Sequence, residues 1–337
     1  MSESERVDAR AALSDVADQE PRQAGGHAYD AVSERIRFRA RGSYAGVGLT
    51  ESRTFLDRAR RPGGPSVAHI ADVVVPVDPP VRARVYHPEP GNFRPILVWT
   101  HGGGWCLGGL DTTDEVCRHL TQSGWAILSI DHRRAPEHPY PAPLDDVAAV
   151  ADWVTDHAAE IGGAAGRVAL GGESSGANLA LAAAARLRDR HGADLARRIQ
   201  HLLLVVPVAD LSPRPSMRAD QDPGLSVADL EWFMDRYLPS PALRYDQRVF
   251  PNQTASLAGL PASTIATAGL DPLRDGALAL VDQLRRADVA VQHLDQPSAG
   301  HGLLGDLAGS APGAALIGEI IERLDRVRTS WTSGINE

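Results

Sequence analysis

The stretch "ALGGESSGANLALAAA" (169–184) joins an apolar run, a turn bounded by glycines and a long run of helix formers. Strand, turn, helix is the setting in which a G-x-S-x-G pattern, here Gly172-Glu173-Ser174-Ser175-Gly176, lifts a serine hydroxyl above the end of a sheet. The glycines let two chain segments approach closely at a strained bend. The following helix turns its positive N-terminal end toward that hydroxyl and favours an anion beside it. Taken alone the pattern recurs by chance; its flanks give it weight. Ser174 is the candidate nucleophile, and the adjacent Ser175 hydroxyl is a rival that the pattern disfavours, because G-x-S-x-G centres on Ser174.

A serine hydroxyl is a poor nucleophile until a base takes its proton, and the base needs an acid to hold its tautomer. For this kind of turn the acid and then the histidine follow in the chain. "AGLDPLRD" (268–275) sets Asp271 just past a strand-like run, with Asp275 equally available and initiation of the next helix an alternative use for Asp271. "SAGHGLLGD" (298–306) sets His301 between two glycines after the last such run, which favours it over His293 inside a strand pattern. Both candidates fall at carboxyl ends of strands, the edge where open α/β sheets assemble their sites.

Upstream, "HGGGWCLGG" (101–109) follows the apolar "PILVW" (95–99). Three glycines cost backbone entropy, so a bare loop there calls for a reason. Acyl transfer builds negative charge on a carbonyl oxygen, and backbone N–H groups already aimed at it stabilise that charge where side chains would block access. Gly103 and Gly104 are the candidate donors, with the N–H of Ser175 as a third. Cradling of a phosphate fits less well: no G-x-x-x-x-G-K-[ST] is present, and all 34 basic residues are arginine.

Around these motifs, strand-length apolar runs alternate with segments of helical period. Strands are expected at 70–77, 81–88, 95–101, 125–132, 167–173, 201–208, 263–270 and 289–296. Helices are expected over 147–161, 175–189, 273–287 and 313–327. Only the first two strands resemble a hairpin, so the rest implies right-handed crossovers and a mostly parallel eight-stranded sheet covered by helices on both faces. Residues 211–250 are too long for an ordinary connection and suggest a cap beside the sheet ends, with Leu225, Trp232, Phe233 and Tyr237 either lining a pocket or pinning the cap to the core. The polar stretch 1–28 reads as a mobile tail, and 29–66 as a small helical element outside the sheet.

At 337 residues, with 43% hydrophobic and 23% charged positions, the chain can bury a large core. A formal net charge of −9 argues against nucleic acid or a polyanion as partner. Cys106 and Cys117 have neither C-x-x-C nor zinc-site spacing and read as small buried hydrophobes. The N-terminus lacks an apolar signal region, and no run approaches the roughly 18 to 20 apolar residues that span a bilayer, so a cytoplasmic location is expected.

"HGGGW" (101–105), "DHRRAPEHPYPAPLDD" (131–146), "GGESSGAN" (171–178), "DPLRD" (271–275) and "GHGL" (300–303) together resemble the successive motifs of the hormone-sensitive-lipase-like esterases of the α/β-hydrolase fold. The resemblance implies an α/β-hydrolase catalytic domain over 67–337 with a helical cap made from 29–66 and 211–250. It also implies a serine carboxylester hydrolase acting on small to medium acyl esters, with Ser174 as nucleophile, His301 as base, Asp271 as its orienter, and Gly103 and Gly104 in the oxyanion hole. No metal or organic cofactor is implied, and the family's dimers, built on an edge strand and the last helix, allow a homodimer. Departures are Glu173 and Ser175 where Asp and Ala are usual, and His132-Arg133-Arg134 where the family has Tyr-Arg-Leu, which bears on the substrate pocket more than on the triad. Use of the same triad as a deacylase, lactonase or acyl transferase on a natural product, or recruitment as a non-catalytic receptor, stays open.

Overall fold

All eight apolar runs form strands, each ending within a few residues of its expected bounds. The computed structural model describes residues 43–59, 63–219, 221–222, 224–253, 256–307 and 310–333, so the expected tail at 1–28 and residues 29–42 of the N-terminal element lie outside it. The strands are β1 (His69–Val75), β2 (Val81–His87), β3 (Arg94–Thr100), β4 (Ala126–Ile130), β5 (Gly163–Glu173), β6 (His201–Val205), β7 (Ala262–Ala268) and β8 (Val291–Gln296). They form one sheet in the order β1-β2-β4-β3-β5-β6-β7-β8. β2 runs antiparallel to both its neighbours, and the remaining pairs are parallel. The chain belongs to the α/β-hydrolase architecture.

The main helices are α1 (Leu49–Ala59), α2 (Asp114–Thr121), α3 (Ala142–His157), α4 (Ser175–His191), α5 (Val227–Tyr237), α6 (Arg274–Arg286) and α7 (Ala311–Ser333). Successive β5 residues point to opposite faces, so Val168 and Leu170 join a core with α3, α4 and α6, while Ala169 joins one with α2 and α7. α4 is buried almost all round; its alanines let it lie close to both the sheet and α3. α2 was not expected. Its apolar face is only Val116, Cys117 and Leu120, too short a period to stand out in a segment between the glycine-rich loop and the turn at Gly124.

Register brings the motifs together. Thr100 pairs with Gly172 across β3 and β5, so the loop after β3 starts beside the turn after β5. Glu173 pairs with Val205 on the other side. Ala268 pairs with Gln296, which ends β7 and β8 level and sends Asp271 and His301 off the same edge.

Candidate active site

The turn after β5 is strained, and its neighbours hold it. Ser174 has φ 57° and ψ −120°, a region that costs an L-residue about 1–3 kcal/mol unless the surroundings impose it. They do: the Ser174 N–H donates to the Val205 carbonyl at 2.9 Å, and its own carbonyl accepts from the Asn178 N–H at 3.1 Å. A Cβ on Gly176 would stand 2.1 Å from the Thr100 carbonyl oxygen, and one on Gly172 would stand 2.6 Å from the same atom. Both glycines of the pattern are therefore required by backbone of β3 and its continuation pressed against the first turn of α4.

At the tip of this turn the Ser174 Oγ lies 2.8 Å from His301 Nε2, and His301 Nδ1 lies 2.8 Å from Asp271 Oδ2. The other Asp271 oxygen accepts the Leu273 N–H at 2.8 Å, and the residue is 2% exposed. The alternatives lie elsewhere. Asp275 accepts the Ser216 N–H at 2.8 Å, and His293 Nε2 is 2.8 Å from Thr267 Oγ1. Ser175 is 1% exposed, and its hydroxyl has no hydrogen-bond partner among the described residues. Burial works against a charge on His301, but the charge and hydrogen bond of Asp271, then the charges of Asp222 and Glu173, outweigh it and raise the imidazole to about 9.

The three-glycine loop runs alongside. A Cβ on Gly102 would come within 3.4 Å of Ser174 Cβ. Gly103 and Gly104 have φ of 125° and 58°, and a Cβ on Gly104 would fall 2.3 Å from the Phe233 ring. Behind this loop sits the segment that departs from the family pattern. His132 stacks on His101 with ring centroids 4.4 Å apart, the Arg134 guanidinium donates to the Gly108 carbonyl, and Arg133 pairs with the buried Asp146 at 2.7 Å. The expectation that 132–134 alters the substrate pocket is corrected: these side chains brace the back of the loop and line no part of the cavity described below.

Residues 97–305 match the family described as the alpha/beta hydrolase fold. The carboxylesterase NlhH of Mycobacterium tuberculosis is 38% identical over 242 residues, covering 70% of this chain and 74% of that protein. This chain is a hormone-sensitive-lipase-like esterase. The ethyl acetate hydrolase of Pseudomonas putida is 33% identical over 224 residues, covering 65% of this chain and 70% of that one. Among solved structures, an ester-hydrolase from the metagenome of Lake Arreo, in complex with a derivative of bipyridine phosphonate, superposes with a TM-score of 0.80 at 30% identity, covering 88% of this chain and 95% of the other.

The esterase encloses a cavity of about 490 Å³ above Ser174 and His301. Tyr44, Leu56, Leu225, Leu230 and Phe233 give it apolar walls, and among the described residues no arginine lines it. Of the four aromatic and aliphatic side chains expected here, Leu225 and Phe233 line the cavity, whereas Tyr237 stacks on Trp105 at 4.5 Å and Trp232 packs under Arg236. α5 starts at a capping box, Ser226 with Asp229, and Asp229 also accepts the Ala45 N–H at 2.9 Å, which ties the N-terminal segment to this helix. Arg53 on α1 donates to the carbonyls of Cys106 and Ala135 at 3.0 Å each and to Glu137 at 2.7 Å, and holds the Glu137 carboxyl down to about 2.

Three residues of the esterase site escaped the sequence reading. Arg53 is one. Asn178, inside the quoted motif and four places after Ser174, accepts from Trp105 Nε1 at 3.2 Å and donates to the Val249 carbonyl at 2.8 Å, joining α4 to the loop and to the β6–β7 connection. Asp222 is the third. Cys106 and Cys117 are free and buried, and burial pushes both thiols up to about 12, as expected of small hydrophobes. Among the described residues no helix is long and apolar enough to cross a membrane, and no group of three His, Cys, Asp or Glu is arranged to hold a metal ion.

Proposed function

We propose that Ser174 Oγ attacks the carbonyl carbon of a small to medium, largely apolar ester while His301 Nε2 takes its proton. Asp271 holds the imidazole through Nδ1–H and stabilises the imidazolium. The N–H groups of Gly103, Gly104 and Ser175 receive the oxyanion, His301 returns the proton to the departing alcohol, and water then enters by the same route to release the acid. The observation that carries this reading is the pair of 2.8 Å contacts from Asp271 through His301 to Ser174, at the floor of a cavity with apolar walls. Residues 43–59 and the described part of 211–250 act as the cap of this cavity. The size of the cavity favours short and medium acyl chains, in keeping with a relative named for ethyl acetate.

Steady-state hydrolysis of p-nitrophenyl esters from acetate to decanoate tests the reading. The wild type has a chain-length optimum in the short to medium range, and Ser174→Ala loses on the order of 10⁴-fold or more in kcat while keeping its melting temperature. A folded wild type inert on the whole series overturns it and brings a dedicated natural-product acyl substrate, or a receptor role, forward. The same reading includes a cytoplasmic protein without a nucleic-acid partner, in keeping with the net charge of −9. It also includes a homodimer through an edge strand of the sheet, β1 or β8, and the last helix, α7; light scattering at a monomer's mass would remove that element.

A further inference from the structure

Asp222 lies in the connection between β6 and β7, 79 positions from His301, and is 9% exposed. One carboxylate oxygen accepts the backbone N–H of His301. The other accepts the N–H groups of Gly224 at 2.6 Å and Leu225 at 3.2 Å. Gly300 packs against the same group: a Cβ there would stand 3.0 Å from the nearer oxygen. One buried carboxylate thus joins the backbone of the histidine loop to the stretch that carries Leu225, a wall of the cavity. The imidazole is held at its two nitrogens by Asp271 and Ser174, while Asp222 holds its main chain, between two glycines that would otherwise leave the loop free to shift.

We propose that Asp222 is a positioning residue for ester hydrolysis, setting the His301 loop in register with the wall that receives the acyl or alcohol group, so that the base is aligned when that wall is seated. The proposal rests on the roles given above to Ser174 and His301. Hydrogen bonds from N–H groups to a carboxylate are stronger than those to a neutral acceptor, and misplacing a reacting group by about 1 Å can cost on the order of 10²-fold in rate. The groups facing His301 are Asp271, Asp222 and Glu173, all acidic, so Asp222 also favours the imidazolium formed as Ser174 gives up its proton.

The test compares wild type, Asp222→Asn, Asp222→Ala and Leu225→Ala across pH on p-nitrophenyl butyrate, with rates normalised to serine titrated by an organophosphonate. Asp222→Ala should lower kcat by about 10- to 100-fold with little change in KM. Asp222→Asn keeps the shape and removes the charge, so the acid limb of kcat/KM should move to lower pH. Leu225→Ala, which alters only the wall, should change KM and leave that limb in place. A folded Asp222→Asn with wild-type kcat and an unmoved limb overturns the proposal, as does failure of both Asp222 variants to fold, which would make Asp222 a structural anchor. A wild type inert on every ester overturns the functional reading itself, whereas an active wild type matched by its Asp222 variants overturns only the positioning role.

Discussion

Beneath the cavity, the ends of β3 and β5 and the start of α4 meet backbone to backbone, with a Cβ on Gly176 standing 2.1 Å from the Thr100 carbonyl oxygen. Above it, residues 43–59 and the connection between β6 and β7 are tied down by side chains: Arg53 to Glu137 and two carbonyls, Asp229 to Ala45, Asp222 to His301 and Tyr44 against Phe233. A floor of backbone contacts has no room for variation and must be built from glycines at fixed spacing. A roof of side-chain tethers can be altered one tether at a time, and of those tethers the one from Asp222 also reaches the backbone of His301.

The largest effect expected from that contrast belongs to Gly176→Ala. Its Cβ meets a main-chain oxygen that cannot swing aside, so a loss of about 3 kcal/mol or more and of turnover should follow, read by thermal melts and p-nitrophenyl butyrate hydrolysis. A stable, active Gly176→Ala would break the comparison. Next comes Gly104→Ala, where floor meets roof: the new methyl would fall 2.3 Å from the Phe233 ring at a φ of 58°, and kcat should fall by about 10²-fold. Because the obstacle is a side chain of the roof, adding Phe233→Ala should recover part of the loss; no recovery would place the damage in the glycine's backbone alone.

The histidines should respond to pH in opposite directions. His101 and His132 are buried, and burial pushes both below the ordinary imidazole range. As the pH falls below about 6.5 the unfolded chain takes up protons that these folded residues refuse, so stability declines on the acid side, and His132→Phe, which keeps a ring against His101, should soften that decline. His301 is raised to about 9, so its contribution to stability is complete below about 6.5 and is lost as pH rises through 9. The role of base proposed for it requires the neutral form, so kcat/KM should climb over that same interval. Paired melting and rate profiles check both signs; a rate already flat at pH 7 would refute the raised imidazole. The smallest effect is expected from Arg53→Ala, about 1 kcal/mol in stability and a few-fold in kcat/KM, since its partner Glu137 is half exposed.

Much of the floor was legible because its signals are local. The strands follow from apolar runs between turns, and the elbow from two glycines around a serine between a strand and a helix. The roof was less so. In α5 the residues that turn inward, Leu230, Phe233, Met234 and Tyr237, follow helical spacing, yet that spacing does not say that Phe233 meets the cavity while Tyr237 stacks on Trp105. Arg53 was one of 34 arginines, and its partner Glu137 lies 84 positions away. His132-Arg133-Arg134 was visible as a departure, but its place behind the glycine loop depends on how β4 continues past β3.

By itself the sequence determined the alternation of strands and helices, the positions where only glycine fits, and the order serine, aspartate, histidine. These are properties of neighbours in the chain, set by backbone sterics and by the period at which apolar side chains recur. Tertiary structure alone decided that Asp271 rather than Asp275 meets the histidine, that His301 rather than His293 meets Ser174, and that Asp222 reaches the histidine loop from the roof. Hydrogen bonds act over about 3 Å, and only the register of the sheet and the packing of the connections upon it bring groups so far apart in sequence within that reach.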